Sequence, residues 1–184
     1  GGAAAVSVLT GPEYFGGSFT DLSDVADAVD LPVLCKDFVV DPVQLHLARG
    51  HGADAVLLMV SVLGHLTREF ADIAESLGLT PLVEIATADE LAIALGVRSG
   101  VIAVNARDLR TLEVDPNRAR SVLEEARRFD VTLVAASGVR TRADVEAAAA
   151  AGADAVLVGE TLMRAPIPED VLADLTGVRK GARQ

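Results

Sequence analysis

A chain of 184 residues with 51% hydrophobic content can bury one sizeable core, and 3% aromatics with no Trp makes that core aliphatic. The net charge of −11 argues against a polyanion-binding surface, and the lack of aromatic stacking platforms argues against single-stranded nucleic acid, so no nucleic-acid partner is expected. One cysteine, Cys35, excludes an internal disulfide and fits a reducing compartment. No apolar run reaches membrane-spanning length and no leader pattern opens the chain, so a cytoplasmic protein without a membrane partner is expected.

The chain opens Gly-Gly-Ala-Ala-Ala and enters an apolar strand at once, Val6 to Leu9. With nothing before it to pair with, this strand leads to the expectation that either the chain is a fragment or a covering element has been lost. A loop from Thr10 to Phe19 follows, rich in Gly, Pro and aromatics. Thr20 or Ser23 is the expected cap of a helix running to about Asp30, with Leu22, Val25, Ala26 and Val29 at helical spacing. Pro32 to Leu34 read as a short buried strand that meets solvent at Lys36. Pro42 suits the first turn of a helix closed at Gly50 and Gly52.

Ala55 to Val60 form the next strand, Leu66 to Leu77 an amphipathic helix, and Pro81 to Ile85 a strand with Glu84 at its end. Thr87 with Glu90 three residues on is a capping-box pattern for a helix to Ala94. Val101 to Val104 lead to Asn105, and Pro116 to Phe129 form a charged helix. Val131 to Ala135 lead to Ser137-Gly138, followed by a helix over Thr141 to Ala151. Ala155 to Val158 lead to Gly159-Glu160, and Pro168 to Leu175 form the last helix. The tail from Gly177 to Gln184 is expected to fray.

Seven strands, each followed by a helix in units of roughly 20 to 30 residues, give the rhythm of a parallel α/β sheet. Gly52-Ala53-Asp54-Ala55-Val56-Leu57 recurs as Gly152-Ala153-Asp154-Ala155-Val156-Leu157, four units apart. That spacing suits equivalent quarters of an eightfold barrel, although turns also converge on Gly-Ala-Asp for local reasons. The expected fold is therefore a (βα)8 barrel of TIM type with about seven βα units present. It would form a single domain over residues 1–176.

Lys36 and Phe38, two apart on a strand, share a face while Asp37 points away. A lysine against an aromatic is placed to donate a proton from a half-dry pocket, though alone the pattern also fits the commoner surface lysine capping a strand. Position adds to it. Lys36, Glu84, Asn105, Ser137 and Gly159 come from five strands and all lie at carboxyl ends, where barrel enzymes gather their chemistry. Arg107, two past Asn105, is expected to face the same way. Ser137-Gly138 and Gly159-Glu160 place glycine turns after the last two strands, the usual phosphate-holding loops of such barrels. His46, His51 and His65 match no ligand spacing, and no dinucleotide fingerprint is present, so neither metal nor cofactor is expected.

These residues in this order resemble indole-3-glycerol phosphate synthase. The likeness rests on Ser7-Val8-Leu9-Thr10 with Phe15-Gly16-Gly17-Ser18, and on Pro32-Val33-Leu34 with Lys36-Asp37-Phe38. It continues through Val83-Glu84, Val104-Asn105-Ala106-Arg107-Asp108-Leu109, Ser137-Gly138-Val139, and Val158-Gly159-Glu160 with Leu162-Met163. The resemblance implies a carboxy-lyase of tryptophan biosynthesis. It would close the indole ring of carboxyphenylamino-deoxyribulose phosphate, a phosphorylated small molecule, with loss of carbon dioxide and water and no cofactor.

It further implies Lys36 as general acid, Glu84 as a proton holder or relay, and Asn105 as the group orienting the sugar hydroxyls. Arg107 would face the anthranilate carboxylate and Phe38 would wall the ring pocket. Backbone amides of Ser137, Gly138, Gly159 and Glu160 would hold phosphate. Two departures accompany it: a further N-terminal strand of the family is absent, and Ala136 stands where the family usually has Glu. The absent strand leads to the expectation of self-association, or of a missing N-terminal segment, at open barrel edges. Ala136 keeps open a non-catalytic relic or partner subunit, and another phosphate-binding barrel enzyme of the same pathway is the remaining alternative.

Overall fold

The computed structural model describes residues 2–109 and 111–179, so most of the expected tail lies outside the described residues. Packing groups the chain into two compact units. The first holds Ala4–Glu84 with Ile93–Ser99. The second holds Ile85–Ala92 and the chain from Gly100 on, with residues 2 and 3.

The first unit carries strands β1 (Val6–Leu9), β2 (Val33–Lys36), β3 (Ala55–Met59) and β4 (Thr80–Ile85), the last reaching its end at the unit boundary. All successive pairs are parallel, with Leu9 opposite Lys36 and Met59 opposite Glu84. Val33, Leu34 and Cys35 of β2 are all buried, as are Val56 to Met59 of β3. Burial of consecutive residues means that both sheet faces are covered, as helical crossovers require in a parallel sheet. The helices are α1 (Pro12–Phe15), α2 (Phe19–Ala28), α3 (Pro42–Gly50), α4 (Val60–Leu63) and α5 (Thr67–Ser76). They are followed by α6 (Leu91–Ala94), which spans the unit boundary.

The second unit carries β5 (Val101–Asn105), β6 (Thr132–Ala136) and β7 (Ala155–Leu157), again parallel, with Asn105 opposite Ala136 and Ala136 opposite Leu157. Its helices are α7 (Pro116–Ala126), α8 (Arg142–Ala151), α9 (Glu160–Met163) and α10 (Pro168–Leu175). Val139, Val145 and Leu175 form a small core that draws in Val156, Val158 and Val171.

The strands fall where the sequence places them, within one or two residues. The helices differ more. α2 is capped neither by Thr20 nor by Ser23 but by Ser18, whose hydroxyl accepts the Asp21 N–H at 3.1 Å. The Thr10 to Phe19 loop contains a four-residue helix, α1, and the span expected as one helix from Thr87 splits into a 3₁₀ turn and α6.

The Gly-Ala-Asp repeat has a physical basis. Gly52 (φ +88°) and Gly152 (φ +115°) end their helices in the left-handed region. The aspartate then exchanges two bonds with the start of the preceding strand. Asp54 N–H donates to Val33 O and its carboxylate accepts Val33 N–H, both at 2.9 Å. Asp154 does the same with Leu133, at 2.7 and 2.8 Å.

Candidate active site

In the first unit, parallel pairing brings the carboxyl ends of four strands, with Leu9, Lys36, Met59 and Glu84, to one end of the sheet, so Lys36 and Glu84 lie at the same end. Glu84 is buried at 5% exposure. Lys36 is half-buried, with its Nζ 5.5 Å from the centre of the Phe15 ring, inside cation–π range. Phe15 packs on Phe38 with ring centres 5.2 Å apart, and Tyr14 meets Phe38 edge-on at 5.4 Å. Three of the chain's six Phe and Tyr residues thus form one cluster, and the lysine meets it at Phe15. Phe38 is held from behind by Gln44, whose amide donates to Phe38 O and accepts from the N–H groups of Val40 and Asp41.

Sequence reasoning found Lys36 and Phe38 but not the part played by Phe15. A signal existed: Gly11-Pro12 starts a helix one turn long, and that turn carries the ring back over β2. Cys35 is a packed thiol. Burial pushes its pKa up, and Asp37 adds to the rise. An open cleft of about 380 Å³ lies instead at the amino end of β2, beside Ala26, Pro32 and Asp54, the face of such folds linked to stability rather than chemistry.

In the second unit, Asn105 ends β5 at 6% exposure, and its side-chain oxygen accepts the Arg107 N–H at 2.9 Å. Arg107 donates to Leu112 O at 3.0 Å and pairs with Glu160 at 3.4 Å, and Glu160 also pairs with Arg164. Arg107 and Glu160 therefore lie side by side, a contact across 53 residues that strand-end placement does not predict. The loop is tied back by Asp115 N–H on Ala106 O and by Arg118 on the same carbonyl.

Ser137 and Gly138 both have positive φ, +65° and +77°. For Ser137 this is a strained conformation of the kind found at functional turns. Gly138 has no alternative: a Cβ there would sit 2.9 Å from Val114. The helix after this turn is capped by its own residues. Its N-terminus is capped by Thr141, and the Asp144 carboxylate accepts the N–H groups of Arg140 and Thr141 at 2.9 and 2.8 Å. Burial pushes Asp144 up, but those N–H groups and the Thr141 hydroxyl outweigh it and hold the carboxyl below its ordinary value. Gly159 leads into α9, only four residues long. Ala136, buried beside Asn105, brings no charge.

No three His, Cys, Asp or Glu side chains gather as a metal site among the described residues, and no helix among them is long and apolar enough to cross a membrane.

The chain is similar in fold to crystal structures of 3-hexulose-6-phosphate synthase. One has a TM-score of 0.73 at 18% identity, covering 92% of this chain and 84% of the other. A mutant tryptophan synthase α-subunit from Pyrococcus furiosus gives 0.65 at 19% identity, covering 85% and 70%. These likenesses show the fold, a parallel (βα) barrel type. Indole-3-glycerol phosphate synthase of Micrococcus luteus is 50% identical over 173 residues, covering 94% of this chain. That of Mycolicibacterium smegmatis is 50% identical over 176 residues, covering 95%. The chain spans 64% of the length of each. The family pattern described as Indole-3-glycerol phosphate synthase matches residues 1–175, and the chain belongs to that family.

Proposed function

We propose that the chain carries the ring-closing chemistry of its family, converting 1-(2-carboxyphenylamino)-1-deoxyribulose 5-phosphate to indole-3-glycerol phosphate with loss of carbon dioxide and water. It would act in the cytoplasm. The observation that supports this most is the Lys36 ammonium on the face of Phe15, beside Phe38, at a strand's carboxyl end. A cation on an aromatic face is drier than a lysine in open water, and an aryl ring bound beside Phe15 and Phe38 would find a proton donor near it.

In this reading Lys36 protonates the substrate carbonyl as the ring carbon attacks, and buried Glu84 holds or relays protons near that oxygen. Asn105 orients the sugar hydroxyls. Arg107 takes the anthranilate carboxylate, exchanging its exposed pairing with Glu160 for the ligand. Exposed ion pairs are worth little, so the exchange costs little. The amides of Ser137, Gly138, Gly159 and Glu160 hold the phosphate.

The test is steady-state turnover of the carboxyphenylamino substrate, read by indole fluorescence. Lys36→Ala should lower kcat by about a hundredfold or more and leave KM nearly unchanged, as loss of a transition-state proton donor requires. Equal activity in the variant would remove Lys36 from the mechanism. A second reading, a phosphate-holding barrel without turnover, is favoured by Ala136 at the end of β6. It predicts phosphate-induced shifts of the Ser137, Gly138 and Gly159 amides with no product formed.

A further inference from the structure

Lys36 is followed by Asp37, whose carboxylate is used on both oxygens. Oδ1 accepts the Phe38 N–H at 2.8 Å, and Oδ2 accepts the Thr10 hydroxyl at 3.2 Å, from a residue 27 positions earlier. Thr10 is 1% exposed, and its own N–H donates to Lys36 O at 3.4 Å. Its hydroxyl also lies 3.4 Å from Cys35 Sγ. A carboxylate only accepts, so the single hydroxyl proton goes to Asp37 and the Cys35 S–H donates to Thr10. The result is a directed chain from Cys35 through Thr10 to Asp37.

Gly11, next to Thr10, completes it. A Cβ there would lie 2.5 Å from Asp37 Oδ1 and 3.2 Å from the Phe15 ring. The carboxylate and the ring therefore close on the same bare backbone. Phe15 N–H donates to Gly11 O, so the helix turn that carries Phe15 starts from the residue the carboxylate touches.

We propose that Asp37 is a positioning residue: through Thr10 and Gly11 it locks the Tyr14-Phe15 turn to the end of β2, fixing the Phe15 ring against the Lys36 ammonium. Lys36 and Phe38 reach the ring from either side of Asp37 in the chain, while Phe15 comes from a separate loop. The Thr10 hydroxyl bond to Asp37 joins the two by a charge-assisted contact, stronger and more directional than ring packing alone. The inference rests on the ring-closing reading for its kinetic consequence but not for its geometry.

The geometric test is NMR on the intact chain. The Lys36 ε-methylene protons should be shifted by the Phe15 ring current, and Phe15→Leu should abolish that shift. Thr10→Val, the same shape without the hydroxyl, and Asp37→Ala should reduce it to near the free-lysine value. Asp37→Asn keeps an acceptor for Phe38 N–H and should retain most of it. Asp54→Ala, which weakens the fold at the other end of β2, should retain all of it.

A shift unchanged in Thr10→Val and Asp37→Ala, or lost equally in Asp54→Ala, overturns the proposal. If Asp37→Ala does not fold, Thr10→Val against Thr10→Ser decides, since only Ser keeps the proton. In kinetics Thr10→Val should lower kcat by about tenfold to a hundredfold with KM within about twofold, the effect of a misplaced proton donor. A parent chain inactive even when joined to the N-terminal segment of a family relative would refute the ring-closing reading, while the NMR outcome still decides the lock.

Discussion

Asp54 and Asp154 make the same contact in different surroundings, and that difference sets the expected cost of removing each. In both, the carboxylate accepts the N–H of a strand-start residue that is itself dry: Val33 at 2% exposure and Leu133 at 0%. The backbone half of the contact survives truncation to Ala, so one hydrogen bond to a charged acceptor is lost, about 1.5–3 kcal/mol when no water replaces it. Asp54 is exposed, so water can follow into the gap, and Asp54→Ala should fall below that range, about 0.5–1.5 kcal/mol. Asp154 is half-buried, and Asp154→Ala should fall within it. At about 2–4 °C per kcal/mol for a chain of this size, Asp154→Ala should lower Tm by roughly 3–12 °C. Urea midpoints would measure both variants, and hydrogen exchange would locate the effect, with the Val33 or Leu133 amide accelerating before its neighbours. Unchanged exchange at those two amides, or a larger loss at Asp54 than at Asp154, would refute the reasoning.

Two further outcomes follow from single contacts. The Asp144 carboxyl is held below its ordinary value in the folded chain, so its contribution to stability is present above that ordinary value and is lost as pH falls through the folded one. Asp144→Asn should therefore lower the urea midpoint near neutral pH, with the gap to the parent closing in acid; a constant gap would contradict the assignment. A Cβ on Gly17 would run into the carbonyl of Leu9, with backbone on both sides and no side chain to yield. Gly17→Ala should cost about 1–3 kcal/mol by urea unfolding, and a neutral substitution would show that the loop shifts freely.

Local periodicity and end signals carried much of this protein's structure in the open. Apolar runs of three to six residues punctuated by Gly, Pro and Asp marked the seven strands of the described residues, and those buried on both faces, β2 to β5 above all, have little choice of residue. The same punctuation put Lys36, Glu84 and Asn105 at carboxyl ends, and the Lys-Asp-Phe and Asn-x-Arg-Asp-Leu runs carried the family. Tertiary structure alone decided who touches whom. That Phe15 lies under Lys36, that Asp37 holds Thr10 and that Glu160 pairs with Arg107 are contacts whose partners no periodicity names. Ser18 took the cap of α2 from Thr20 and Ser23 for a related reason, since all three are chemically able and the path of the preceding loop selects one. Spacing along a chain fixes which face a side chain presents. The identity of its neighbour is set only when separate segments compete for the same space and the same hydrogen-bonding atoms.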